Sequence, residues 1–155
     1  MRWRVAAGWR IAASAWSAPV ANRAAERLAK DRHAPPASPS HDRGDAELVA
    51  AFAKLTTDGV DATAAARADL VAIGSGPGER TVGGAAFARP WNAAWKGHVA
   101  VVSSLGHLAP SKTTGWVVAH IELAKAGSKQ PFLVFCVFDK AADGTWSLAH
   151  IHFAT

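Results

Sequence analysis

GWVVAHIELA (residues 115–124), PFLVFCVFD (131–139) and TWSLAHIHFAT (145–155) are three apolar or alternating runs, divided by a polar break at AGSKQ and a turn at KAADG. Short runs rich in β-branched and aromatic residues, separated by such breaks, form an antiparallel meander. The middle run is apolar at almost every position, which places it inside a sheet with both faces covered.

Working back towards the N-terminus, HVAVVSSLGHLA (98–109) reads as another strand and APSKTTG as the turn that follows it. AAFARPWNAAWK (85–96) has Phe87, Trp91 and Trp95 at i, i+4 and i+8, the spacing of one helix face. Pro90 lacks the amide that a helix interior needs, so a kink or break is expected at Arg89-Pro90. GSGPGERTVGG, with five glycines, is a loop or hairpin; it lacks the Lys-Ser/Thr ending of a phosphate-binding loop. DLVAIGSG is the first strand. Before it, Asp61 caps a short helix over ATAAARA, and Asp45 caps a longer one in which Leu48, Val49, Phe52 and Leu55 recur at helical spacing.

Helices followed by a long antiparallel meander define an α+β domain, a sheet curling over its first helix. A pocket is expected between the concave sheet and the helices. The opposite face also needs cover, most simply from a second subunit.

The domain begins near Asp45. HAPPASPSHDRG (33–44) is a linker by composition, because its prolines fix the backbone and it has almost nothing to bury. Residues 1–32 hold seven of the basic residues against Glu26 and Asp31, hence +5, which equals the net charge of the whole chain. The folded part is therefore balanced, and it has no zinc-finger spacing or aromatic-interleaved basic stripe; nucleic acid is not an expected partner. For residues 1–32 three readings stand: a secretory signal interrupted by Arg10, a basic amphipathic helix on a surface, or an unselected extension. Ala21–Lys30 favours helix. Location is correspondingly open between exported and cytoplasmic, and membrane contact would come through this segment alone. No run is long enough to span a bilayer.

Cys136 is the single cysteine, which excludes an internal disulfide and a cysteine-rich metal centre; within FLVFCVFD it reads as a small buried hydrophobe. No cofactor is implied.

Alternation along strands sorts the other candidates. Trp146, Leu148, His150 and His152 share one face of their strand, as do Trp116, Val118, His120 and Glu122 of theirs. Both hairpin loops allow either register, and a one-residue slip exchanges the faces. The preferred counts pair residue 120 with 135 and residue 134 with 150, which puts the two sets on opposite faces.

DLVAIGSGPGERTVGG, GWVVAHIELA and above all DGTWSLAHIHFAT, in this element order, resemble the SnoaL-like group of the nuclear-transport-factor-2-like (NTF2-like) superfamily. The Gly144-Thr145-Trp146 to His150-Ile151-His152 ending also resembles the close of the association domain of calmodulin-dependent kinases, which has the same fold. The resemblance covers about Asp45 to Thr155. It implies a cone-shaped, cystatin-like α+β fold with an internal pocket, usually in a homodimer, among relatives that include isomerases, cyclases and hydrolases. The chain departs from the tyrosine-dependent isomerases of the family, since it has no tyrosine to stabilise an enolate, and Ala154 stands where the motif usually has serine.

His120 beside Glu122 is the candidate catalytic pair: a carboxylate next to an imidazole raises its basicity and fixes its tautomer. Asp58, Asp61 and Asp69 are the other carboxylates from which a base could come, though the first two suit turn and cap roles. Trp91, Trp95, Trp116, Phe135, His150 and His152 are the candidate ligand-binding residues, for a hydrophobic small molecule. His150 and His152 have the i, i+2 spacing of metal ligands, with His120 or His98 as a third. No acidic or thiol ligand stands beside them, and structural roles near a subunit interface suit them better, so no metal is expected. Glu79-Arg80 is either a gate at the pocket mouth or a surface ion pair.

Overall fold

The computed structural model describes residues 2–5, 8–11, 45–125 and 127–155. The linker at 33–44 and the helix expected over Ala21–Lys30 lie outside them. At the start of the chain β1 (Arg2–Val5) and β2 (Gly8–Ile11) pair antiparallel as a separate two-stranded sheet, and the rest of the segment to residue 32 lies outside the described residues.

The domain proper opens with α1 (Ala46–Thr57) and α2 (Ala62–Ala66). Both start where sequence placed them, because Asp45 Oδ1 accepts the Glu47 amide at 3.0 Å and Asp61 Oδ1 accepts the Ala64 amide at 2.7 Å. Each carboxylate satisfies an amide that the first helical turn leaves unpaired. Next come β3 (Val71–Ile73), β4 (Arg80–Val82) and α3 (Gly84–Ala94), then the meander β5 (Val99–Leu108), β6 (Thr114–Lys125), β7 (Ser128–Lys140) and β8 (Trp146–Ala154). The six strands lie in the order β4-β3-β8-β7-β6-β5, with β3 parallel to β8 and every other neighbour antiparallel.

No break occurs at Pro90; α3 runs through it as a continuous helix. Gly84, at its start, sits against α2 so closely that a Cβ would overlap the Ala64 carbonyl. Glycine is the residue that permits this approach.

The core lies between the helices and one face of the sheet. Leu48, Phe52 and Leu55 of α1 meet Val117, Ala119 and Ile121 of β6, Val134 and Cys136 of β7, and Ile151 of β8. Cys136 is fully buried and burial pushes its thiol well up, so it is an inert core residue. The Asp143-Gly144-Thr145 turn is closed by Asp143 Oδ1, which accepts the Thr145 amide at 2.9 Å and its hydroxyl at 2.7 Å. Trp146 then donates its indole N–H to Glu47 Oε2 at 3.0 Å, and Lys140 Nζ meets the same oxygen at 2.8 Å. The terminal Gly-Thr-Trp motif thus fastens the last hairpin to α1.

Candidate functional site

The two faces of the sheet hold different chemistry, and one irregularity decides which residue belongs to which. Near the turn, Lys140 pairs with Trp146 and Phe138 with Leu148; farther on, Val137 pairs with His150 and Phe135 with His152. One residue of β8, Ala149, therefore has no partner across the ladder. It is a β-bulge, and a single extra residue inverts the alternation beyond it.

Trp146, Leu148, His150 and His152 consequently do not share a face. Leu148 packs in the core and Trp146 against it, together with Ile151 and Phe153, while His150 and His152 point the other way. The expected pairing of 120 with 135 is instead 120 with 133, a two-residue slip that keeps the parity. The expected pairing of 134 with 150 has the parity found near the turn, but the bulge replaces it with 137 opposite 150. The two histidine sets are thus on one face, not two.

That face points away from the helices. Across it run Ser103, Leu105 and His107 of β5, Trp116, Val118, His120 and Glu122 of β6, Leu133, Phe135 and Val137 of β7, His150 and His152 of β8, then Val71 and Ile73 of β3. His120 Nδ1 is 3.1 Å from Ser103 Oγ, and Glu122 forms an ion pair with Lys129 at 3.0 Å. His107 stacks on Trp116, and Phe135 meets His150 edge-on. His150 and His152 titrate below the ordinary imidazole range, in both cases first because burial disfavours the charged ring, and for His150 also because His152 is close. Among the described residues no three His, Cys, Asp or Glu side chains gather as a metal site would require.

The cavity is on the other side, between α3 and the sheet. It measures about 800 Å³ and its wall includes Phe87, Trp91, Trp95, Phe132 and Phe153. Trp95 is the centre of this wall: it stacks on Trp91 at 5.2 Å and packs on Phe132 at 5.1 Å and Phe153 at 5.0 Å. Trp91 is buried and spends its N–H on the Leu55 carbonyl at 3.0 Å, which fixes its ring and leaves it no polar atom for a ligand. The helical spacing of 87, 91 and 95 makes this wall, and β-strand alternation adds Phe132 and Phe153 from neighbouring strands.

Of the polar lining, Glu79, Arg80 and His98 are exposed, whereas Ser75 is buried. Ser75, Glu79, Arg80 and Thr81 come from the glycine loop and β4; His98 and Gln130 stand on the meander side. Glu79 Oε2 accepts the Gly76 amide at 2.8 Å, and its side chain fills the space a Cβ on Gly74 would need, so the carboxylate holds its own loop in shape. Glu79 is the only carboxylate among the described residues lining the cavity. Asp58, Asp61 and Asp69 are not in it; Asp69 pairs with Arg67 at 2.9 Å, and that hydrogen bond holds its carboxyl below the usual range.

Of the residues singled out from sequence, Trp91 and Trp95 line the cavity. Trp116, Phe135, His120, Glu122, His150 and His152 do not; they are on the opposite face. Phe132, Phe153 and Gln130 were missed as pocket residues. Their signal was present, since Phe153 shares a strand face with Ile151, but the register that joins them to Trp95 is not a local property.

Residues 46–154 match the model of the SnoaL-like domain family. The chain belongs to that family. No curated protein matches it. Among solved structures, this SnoaL-like chain is similar to an NTF2-like protein of unknown function from Pseudomonas putida, at 14% identity and a TM-score of 0.50, over 69% of this chain and 80% of that one. A protein of unknown function with a cystatin-like fold from Nostoc punctiforme is similar at 13% identity and TM-score 0.48, over 70% and 85%. A ketosteroid isomerase-like protein from Erwinia carotovora atroseptica is similar at 18% identity and TM-score 0.42, over 70% and 87%. At such identities the likeness is one of fold. Function has to be argued from the site.

Proposed function

We propose that this SnoaL-like domain binds a flat, hydrophobic small molecule in the cavity between α3 and the sheet. One observation carries the proposal: a cavity of about 800 Å³ is walled by the aromatic cluster around Trp95, with its polar lining supplied by the glycine loop, β4 and the meander side. That is the layout of a site that buries an apolar body and orients it by one polar end. The aromatic cluster carries no acid or base, and the lining carboxylate, Glu79, is engaged with the Gly76 amide, which favours binding over chemistry.

Catalysis by the His120–Glu122 pair is the competing reading, and it needs a ligand on the outer face. There His120 is engaged with Ser103 and Glu122 with Lys129. A neutral apolar probe, N-phenyl-1-naphthylamine, separates the two by fluorescence titration. Trp95→Ala is expected to weaken it about tenfold, the scale of losing one large aromatic contact. Ala94→Trp, which fills the cavity from an exposed helix position, should abolish binding even if Trp95→Ala proves unstable. His120→Ala should change nothing. Probe binding that survives Ala94→Trp and disappears with His120→Ala would move the site to the outer face.

We infer also that two copies pair through the outer face. Its middle is apolar, with Leu105, Val118 and Phe135, whereas charges are at its ends: Glu122 with Lys129 at one, Asp139 with Arg67 at the other. An apolar centre with a polar rim is the anatomy of an interface. Each end carries one charge of each sign, so a two-fold copy meets no net repulsion. With strands about 4.8 Å apart and about 3.3 Å per residue, four strands by about seven residues and two by three give roughly 540 Å² of sheet plane per copy. Side-chain relief adds to this, against the roughly 800 Å² per partner of a standard interface. Equilibrium sedimentation tests it, with a dimer expected near neutral pH and a monomer at all concentrations refuting it.

A further inference from the structure

Gln130 is a polar side chain that strand alternation brings beside the aromatic wall. Along β7 it shares a face with Phe132, Val134, Cys136 and Phe138, all buried in the core, and across the ladder it stands opposite buried Leu123. Residues two apart on a strand are separated by about 7 Å. Gln130 is thus one side chain along from Phe132, on which Trp95 packs at 5.1 Å. It lines the cavity, is partly buried, and its amide makes no hydrogen bond among the described residues.

The charged groups of the lining are placed elsewhere or turned away. Glu79 is in the glycine loop, where its carboxylate accepts the Gly76 amide at 2.8 Å. Arg80 stands opposite Ile73, and Ile73 opposite His152, so alternation directs it to the outer face. Its strand, β4, is separated from β7 by β3 and β8, about 14 Å at ordinary strand spacing. Lys129, next to Gln130 in sequence, alternates to the outer face and pairs there with Glu122 at 3.0 Å. His98, the remaining neighbour at this end, is exposed, and its carbonyl accepts the Ala124 amide at 2.9 Å.

We propose that Gln130 selects the polar end of the ligand, and that the cavity takes a flat apolar molecule ending in a carboxamide or lactam rather than a carboxylate. The proposal rests on the cavity binding proposed above and names its chemical class. A primary amide offers donors and an acceptor in one plane, so it can pair with a second amide through two hydrogen bonds at once. A carboxylate only accepts. It can use the Gln130 N–H groups, but its charge then faces the Gln130 oxygen, and among the described residues no cation is directed there to offset its desolvation. A ligand without polar groups leaves the Gln130 amide cut off from water and unpaired, a cost that an amide ligand removes.

The test uses the full chain at about pH 8, where imidazoles are ordinarily neutral, and displaces bound N-phenyl-1-naphthylamine with 2-naphthamide, methyl 2-naphthoate and 2-naphthoate. The amide is expected to bind about tenfold more tightly than the ester, which has acceptors but no donor, and the carboxylate is expected to be the weakest. Gln130→Met, unbranched and of similar length, should bring the amide to within about twofold of the ester. If that variant does not fold, the order of the three ligands on the parent chain decides. An amide no tighter than the carboxylate overturns the selection while leaving the cavity reading in place, and so does an amide preference that survives Gln130→Met. A probe that does not bind the parent chain sinks the cavity reading, and this inference with it.

Discussion

His150 stands opposite Val137, on the sheet face that points away from the aromatic cavity, although Leu148 two residues earlier stands opposite Phe138 on the cavity side. The unpaired Ala149 between them performs the exchange. Every assignment of the terminal histidines depends on it, and so do Ile151 and Phe153, which reach the core only because of the bulge.

Deleting Ala149 should therefore be severe. It would turn either Ile151 and Phe153 out to the other face or Leu148 out of the core. We expect a loss of more than about 4 kcal/mol, or no cooperative fold, because several large apolar side chains change environment together. Ala149→Gly, which keeps the count, should cost about 1 kcal/mol or less. Urea midpoints of the two variants compare them directly, and a deletion no worse than the glycine variant would remove the bulge from the argument.

The close approach of α2 and α3 predicts that Gly84→Ala is costly although alanine favours helix. The added Cβ would overlap the Ala64 carbonyl, a backbone atom that cannot rotate aside. A destabilisation of about 2 kcal/mol is expected, in the range of overpacked cores. Differential scanning calorimetry would show it; an unchanged transition would mean that the helices part easily.

Ser147 Oγ is buried with no hydrogen-bond partner among the described residues. An unpaired buried hydroxyl costs free energy that its unfolded form recovers from water. Ser147→Ala is expected to leave stability unchanged or raise it by up to about 1 kcal/mol. A clear loss in a chemical denaturation curve would show that the hydroxyl is satisfied in solution.

The fold itself should weaken in acid, apart from any pairing. His150 and His152 titrate below their ordinary value of 6.5 when folded, because burial disfavours the charged ring. The unfolded chain then binds more protons than the folded one over the interval between the two values. The contribution is complete above 6.5 and is lost as the pH falls through that value and towards the folded ones. With pairing blocked by Leu133→Lys, a charge at an exposed position of the outer face, melting temperature should decline from about pH 7.5 to about pH 5.5, and His150→Asn should flatten the decline. A flat profile in the parent would mean that the two rings ionise freely in the fold.

The sequence by itself determined what depends on neighbours along the chain. Asp45 and Asp61 announced helix starts because a capping carboxylate acts within three residues, and Phe87, Trp91 and Trp95 declared a helix face by their spacing. The three terminal runs declared strands, and with the helices before them the α+β class and the SnoaL-like family followed. Of the kink or break expected at Pro90, the break did not occur, and α3 continues through it. The tertiary structure alone decided which strand faces look at one another. Register is a relation between residues far apart in sequence, and side chains alternate with a period of two, so one unpaired residue at Ala149 transfers a whole set to the other side. For this reason His120, Glu122, His150 and His152 come together on the outer face, while Trp95, Phe132 and Phe153, from a helix and two strands, close around the cavity.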